Sequence, residues 1–343
     1  MKKQLLYLFT ILISLPALAQ KKDSLRAIYV ERYPDHFFVW PIIKLRTSTF
    51  DIQNKPGGGE KLTYRPTNTI GVGVGMYVFE IGFELVFAMP IEEKKKNLFG
   101  ESKVSDLQLN ALGKNWGVDL FTQTYKGFYR EDARRGIPAN TPFPQRPDIR
   151  VGNTGINGIY TFNKNRFSLR SSYNFSERQL KSSGSFLLSG TLNFFNLKAD
   201  STVYGSFYES IFGTKGNFNE ITSTTFSIAP GYSYNLVLAK RFFVNVSLSV
   251  GPAQHWISYR TINGETDDQI LNAFADFRVG IGYNGKRFFA GTNFVQQSRS
   301  FRFEDIVFTS SNATFKLLVG YRFKECGFLK WRAGDLPGII FNK

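Results

Sequence analysis

Residues 69–90 read TIGVGVGMYVFEIGFELVFAMP, an oily run that also holds four glycines and two glutamates. A membrane-spanning helix needs about 20 predominantly apolar residues, so the periodicity of this run decides what the chain can become. Ile70, Val72, Val74 and Met76 alternate with Thr69, Gly71, Gly73 and Gly75. Beyond Tyr77 the apolar set moves to the other parity: Phe79, Ile81, Phe83, Leu85 and Phe87 face Glu80, Gly82 and Glu84. Strict alternation is a strand signal. The change of phase marks a tight turn near Tyr77–Phe79, so the stretch reads as a hairpin with one oily face and one small or charged face.

The pattern recurs. Leu107, Leu109 and Ala111 alternate with Gln108 and Asn110, and Phe167, Leu169, Ser171 and Tyr173 with Ser168, Arg170 and Ser172. Further alternating runs cover 226–236, 244–250, 271–283 and 313–323. The chain holds 35 Phe, 16 Tyr and 31 Gly, residue types that suit pleated half-buried surfaces and tight turns. Strands of about ten residues with an apolar and a polar face are the signature of a transmembrane barrel. A soluble sandwich also alternates, but its polar face carries more charge; here that face is mostly Gly, Ser, Asn and Thr. The fold expected is all-β: a closed antiparallel transmembrane β-barrel of 12–14 strands, because lipid cannot satisfy a free strand edge.

Short turns are expected in the periplasm and longer loops outside. The short ones fall near 77–79, 113–115, 163–165, 238–241 and 284–286. The long ones fall at 55–61, 89–104, 130–149, 178–184, 197–223, 261–267 and 303–311. Thirteen strands are clear, and a fourteenth within 201–208 would restore even parity.

The N-terminus is a targeting signal. Met1-Lys2-Lys3 is a basic start, Leu5–Leu15 an apolar stretch and Ala17-Leu18-Ala19 a small-x-small cleavage site. The expected organisation is a signal peptide at 1–19, a periplasmic arm at 20–36, a barrel at 37–323 and a tail at 324–343, located in the outer membrane of a Gram-negative bacterium. One cysteine, Cys326, excludes an internal disulfide, and two histidines exclude zinc sites of clustered Cys and His. The formal charge of +16 is spread through loops, with neither a basic face nor a nucleic-acid motif. No cofactor and no nucleic-acid partner are expected. The expected partners are outer-membrane lipid and an envelope protein.

Several segments, YVERYPDHFFVWP (29–41), KLTYRPTNTIGVGVGMY (61–77), DLFTQTYKGFY (119–129), RPDIR (146–150), SSGSFLLSG (182–190) and FSIAPGYSYNLVLAKRFF (226–243), resemble an uncharacterised Bacteroidota family, the DUF4421 group. The resemblance covers nearly the whole mature chain. It implies an exported, β-rich, outer-membrane protein and carries no activity or site residue with it.

The alternation places Glu80, Glu84, Asp119, Arg170, His255, Asp276, Arg278 and Lys316 on the lumen face, with Lys44 and Arg46 joining them from the first strand. One reading is a network of paired charges that fills the lumen; the sharper reading is a polar path or pocket. Glu80 and Glu84 lie about 13 Å apart along one strand, too far to share a proton. In HWIS (255–258) the strand phase puts His255 inside and Ser258 on the lipid face, and a nucleophile and its base must meet. Trp40, Trp116 and Trp256 read as girdle residues at strand ends. Three functions remain: a structural or passage element (a narrow pore or transport of a small or hydrophobic ligand), an interaction protein of the envelope, and, behind both, a barrel lipid hydrolase.

Overall fold

The computed structural model describes residues 24–54, 59–67, 69–78, 81–134 and 136–325. A short helix α1 (Ser24–Tyr29) and strand β1 (Val30–Arg32) precede the first wall strand, β2 (His36–Gln53). Three short wall strands follow: β4 (Ile70–Val78), β5 (Ile81–Ala88) and β6 (Lys103–Leu112). The rest are long: β7 (Trp116–Asp132), β8 (Gln145–Thr161), β10 (Ser183–Lys198), β11 (Phe218–Leu238), β12 (Phe242–Thr261), β13 (Gly264–Asn284), β14 (Phe288–Phe303) and β15 (Ile306–Lys324). Together these twelve close into an antiparallel ring, with β15 paired to β2 from Lys324↔His36 to Val307↔Gln53. Closure gives every wall strand a paired neighbour on both sides, which limits the unpaired backbone that lipid cannot satisfy. Beyond the ends of the short strands, β3 (Lys61–Arg65) bridges β2 and β7.

The alternation read from residues 69–90 becomes the two faces of β4 and β5. Val72, Val74, Leu85 and Phe87 are exposed on the outside, while Gly71, Gly75 and Tyr77 are buried inside. On β12 the outward positions Phe242, Val244, Val246, Leu248, Val250 and Pro252 are apolar until Gln254. Ten residues of strand at about 3.3 Å each and a tilt near 40° span about 25 Å, the height of a lipid-facing band. Rings collect on the outside at the end where the N-terminus enters, the proximal end. There Phe37 stacks on Phe323, Phe288 meets Tyr321 and Phe242 meets Tyr283. Such a girdle marks a membrane–water interface.

Twelve strands enclose more space than wall side chains alone can fill, and two connections fold inward to fill it. At the proximal end, residues 162–182 form a plug containing helix α3 (Arg170–Tyr173) and β9 (Glu177–Gln179), the latter paired to β1. The expected strand at Phe167–Tyr173 is therefore not a wall strand, and 178–184 is not an external loop. The plug must bury both polar and apolar side chains against an interior of mixed character, and this produces an alternation like that of a strand. At the opposite, distal end, residues 199–217 form a cap made of a 3-10 turn (Ser206–Tyr208) and helix α4 (Glu209–Phe212), where a strand at 201–208 was one option. A fourth helix, α2 (Glu93–Phe99), lies in the connection from β5 to β6.

Two distal connections expected to be long are tight. β12 turns into β13 at Ile262–Asn263, and β14 into β15 at Glu304–Asp305. Both regions are polar because the strands run on past the lipid into water, where the outward face has no reason to be apolar. Trp40 also departs from expectation. It points inward, packs against Phe289, and lies so close over Gly75 that a Cβ there would come within 2.0 Å of the indole.

Candidate functional site: a polar chamber inside the barrel

The interior is layered. At the proximal end Tyr33, Phe38, Trp40, Phe175, Phe243 and Phe289 form an aromatic floor. At the distal end a larger apolar layer spans the lumen, and Phe195 of β10 reaches Phe308 of β15 across it, with ring centroids 5.7 Å apart. The cap belongs to this layer: Val203, Tyr204, Tyr208 and Phe212 are buried in it. Tyr64 donates to the Val203 carbonyl at 2.8 Å and Arg146 to the same oxygen at 2.6 Å. Burial pushes the Tyr204 hydroxyl above the usual phenol range, and it donates to the Gly213 carbonyl at 2.7 Å.

The plug is tied to opposite walls. Arg170 donates to the Leu112 carbonyl of β6 at 2.5 Å, and the Tyr173 hydroxyl to Asn245 Oδ1 of β12 at 2.6 Å. Glu177, itself 1 % exposed, accepts from Arg26 at 2.5 Å and from Ser168 at 2.6 Å, locking the N-terminal arm to the plug. Arg322 donates to the carbonyls of Phe175 and Gly285 while stacking 4.2 Å from the Tyr33 ring centroid.

Between floor and cap lies a polar belt. Glu84 accepts from Lys44 at 2.8 Å and from Lys316 at 3.0 Å, so one carboxylate joins β5 to β2 and β15. Gln108 Oε1 accepts from Lys44 at 3.2 Å and from Arg46 at 2.7 Å, and Arg46 pairs with Asp106. A second group centres on Arg278, which clasps Asp276 through Nε at 3.0 Å and Nη2 at 2.8 Å and lies 3.7 Å from Asp119. Gln297 and Arg299 extend it along β14. A cavity of about 120 Å³ opens between the two groups, lined among others by Asn110, Asp119, Asn157, Tyr173, Arg278 and Lys316.

The candidates read from the sequence therefore divide. Asp119, Arg278 and Lys316 meet at the chamber, with Glu84 and Asp276 held directly behind Lys316 and Arg278. Arg170 faces inward from the plug instead of from a wall strand. His255 is fully buried in the distal layer, where its Nδ1 lies 2.9 Å from the Thr225 hydroxyl and its ring beside Phe301. Ser258 is on the other face of β12, donating to Glu265 at 3.0 Å. Glu80 lies outside the described residues. Three contributors escaped the sequence reading. Tyr173 and Glu177 belong to the plug, which carries no distinguishing period. Gln108 lies on the inward phase with Asn110 but has no charge to draw attention.

No curated protein matches the chain by sequence. Among solved structures, the outer membrane protease OmpT of Escherichia coli superposes over 85 % of this chain and 98 % of its own, at 8 % identity and a TM-score of 0.39. The translocator domain of the autotransporter NalP of Neisseria meningitidis superposes over 84 % and 88 %, at 8 % identity and a TM-score of 0.34. The beta domain of the Bordetella autotransporter BrkA covers 84 % and 99 %, at 11 % identity and a TM-score of 0.32. The model of a family described as a domain of unknown function, DUF4421, matches residues 21–323, the N-terminal arm and the barrel up to Phe323, and the chain belongs to that family.

Proposed function

We propose that the chain is an integral outer-membrane barrel that holds a small polar or amphipathic molecule in a closed lumen, and is not an open pore. The observation that carries this reading is the chamber of about 120 Å³ between an apolar cap and an anchored plug. At about 15 Å³ per water site it has room for roughly eight waters, which suits a small ligand and is short of a continuous aqueous path. The apolar outer band and the ring girdle support the membrane location; the proximal end, whose connections other than the plug are short turns, is then periplasmic. The charges in the belt face one another in pairs, which stabilises a dry interior but leaves polar groups along the chamber wall.

Thiol accessibility tests this. In a Cys326→Ser background, Thr314→Cys places a thiol on the chamber wall and Thr266→Cys an exposed control. With a bulky membrane-impermeant maleimide, labelling at position 314 is expected to be about a hundredfold slower than at 266, equivalent to about 2.7 kcal/mol of protection. Replacing 202–212 by a Gly-Ser linker is expected to abolish most of that difference. Equal rates at the two positions in the otherwise intact barrel would rule out a closed lumen.

A further inference from the structure

The wall has one weak seam. Neighbouring wall strands elsewhere pair over eight or more residues, but among the described residues β5 and β6 pair only at Ile81↔Ala111, Gly82↔Asn110 and Phe83↔Leu109. Glu84–Ala88 of β5 keeps its partners on β4, and Lys103–Gln108 of β6 keeps its partners on β7. The two strands therefore diverge beyond Phe83 and Leu109, in the distal half of the wall. A pocket of about 60 Å³ occupies the gap. Ile70 faces outward at its rim, and Lys44, Arg46, Glu84, Asp106 and, nearest the distal end, Ala88 line it from the inward phase of their strands. Phe87 and Leu107, both well exposed, flank it on the outer surface of the barrel.

Two features distinguish this seam from a packing defect. The charged groups at its inner end are not fully used. Arg46 is 7 % exposed, yet its Nε has no hydrogen-bond partner among the described residues, and neither has Asp106 Oδ1. Unpartnered buried polar atoms are uncommon, because each costs free energy when withdrawn from water. The seam also leads inward. Gln108 lines both this pocket and the central chamber, and Lys316, on the chamber wall, shares Glu84 with Lys44. With the cap and the plug across the two ends, the side wall is the route that remains.

We infer that the β5–β6 seam is a lateral binding site for an anionic amphiphile drawn from the bilayer, an acyl lipid with a phosphate headgroup. The inference rests on the closed-lumen reading above. The acyl chain lies outside against Phe87 and Leu107, while the phosphate enters between the strands. It meets the unpartnered Nε of Arg46, a charged donor that suits a phosphate oxygen, with Lys44 beside it. The cations Lys44, Arg46 and Lys316 outnumber the carboxylates Glu84 and Asp106, so an added anion is favoured.

Native mass spectrometry of the full chain in detergent, titrated with lysophosphatidic acid, tests the site. Glycerol 3-phosphate supplies the headgroup without the chain, and lysophosphatidylcholine the chain with a net-neutral head. One lysophosphatidic acid per barrel is expected, bound at least about tenfold more tightly than either control. Arg46→Gln and Ala88→Trp, the second filling the pocket, are each expected to weaken it by about tenfold or more, with Arg46→Lys intermediate. The heat-dependent gel shift of folded barrels confirms that each variant is folded, and Ala88→Trp stands at an exposed position that tolerates bulk. Equal binding of the choline lipid, equal binding of glycerol 3-phosphate, or undiminished binding in folded Arg46→Gln and Ala88→Trp would each overturn the site. Slow labelling of Thr314→Cys in the same variants would show that the closed lumen survives such a result.

Discussion

Replacing Glu84 by glutamine is expected to destabilise the barrel by about 3–5 kcal/mol, the cost of removing one partner from a buried ion network. Glu84 is the common partner of Lys44 and Lys316, whose nitrogens lie 2.8 and 3.0 Å from it. Side-chain exposures of 3 % for Lys44 and 14 % for Lys316 leave little solvent to screen their mutual repulsion once the carboxylate is gone. Glutamine keeps the shape and one acceptor, so the loss is one of charge and not of packing. Adding Lys316→Met to Glu84→Gln removes one of the two stranded cations and is expected to restore much of the stability. Such non-additivity is the mark of a direct interaction. Urea unfolding in lipid vesicles, followed by tryptophan fluorescence, measures both. A single-variant loss below about 1 kcal/mol, within the range of an exposed pair, would mean that the belt is hydrated and not structural.

The second large effect is expected at Arg322. Its side chain is among the most buried in the protein, at 1 % exposure, and it ties together parts that are distant in sequence. It donates to Asn284 Oδ1 and the Gly285 carbonyl at 2.5 Å and to the Phe175 carbonyl at 2.6 Å, and it faces the rings of Tyr33, Phe289 and Phe38 at 4.2, 4.9 and 5.2 Å. Bonds from a charged donor contribute about 1.5–3 kcal/mol each. Phe175 also holds a φ of 57°, a left-handed conformation that costs a bulky residue about 1–2 kcal/mol and is offset by contacts such as this one. In Arg322→Met those carbonyls lose their donor, and the plug is expected to leave its seat while the wall persists. Trypsin added from the proximal side is then expected to cut within 166–181 in the variant at least about tenfold faster than in the unmodified chain, a change in opening of about 1.4 kcal/mol. Equal resistance in both would show that the plug is held by other contacts.

What the sequence makes legible follows from lipid. Wherever a strand crosses the bilayer, its outward face has to be apolar, so β4, β5, β12 and β15 declare both their period and their inward residues. Glu84, Asp119, Asp276, Arg278 and Lys316 are recognised as lumen groups on phase alone. Their pairing is not legible, because Glu84 meets Lys316 only through the closing register of β15 on β2, which joins residues more than 200 positions apart. Legibility fails where lipid stops imposing a pattern. The strand ends around Ile262–Asn263 and Glu304–Asp305 stand in water and read as loops. The plug and the cap answer to the interior: Phe167–Tyr173 alternates like a wall strand although Phe167 and Ser168 are both buried, and in the cap Val203 and Tyr204 are buried side by side. Trp40 reads as a girdle residue because an indole near a strand end serves either face; the even phase it shares with Lys44 and Arg46 is the signal that places it inside.

Conductance in a planar lipid bilayer tests the closed lumen most directly. The intact barrel, once inserted, is expected to pass no steady ion current at any holding voltage, while Arg322→Met combined with replacement of 202–212 by a Gly-Ser linker is expected to give discrete conductance steps. Stable ohmic steps from the intact chain would contradict the account.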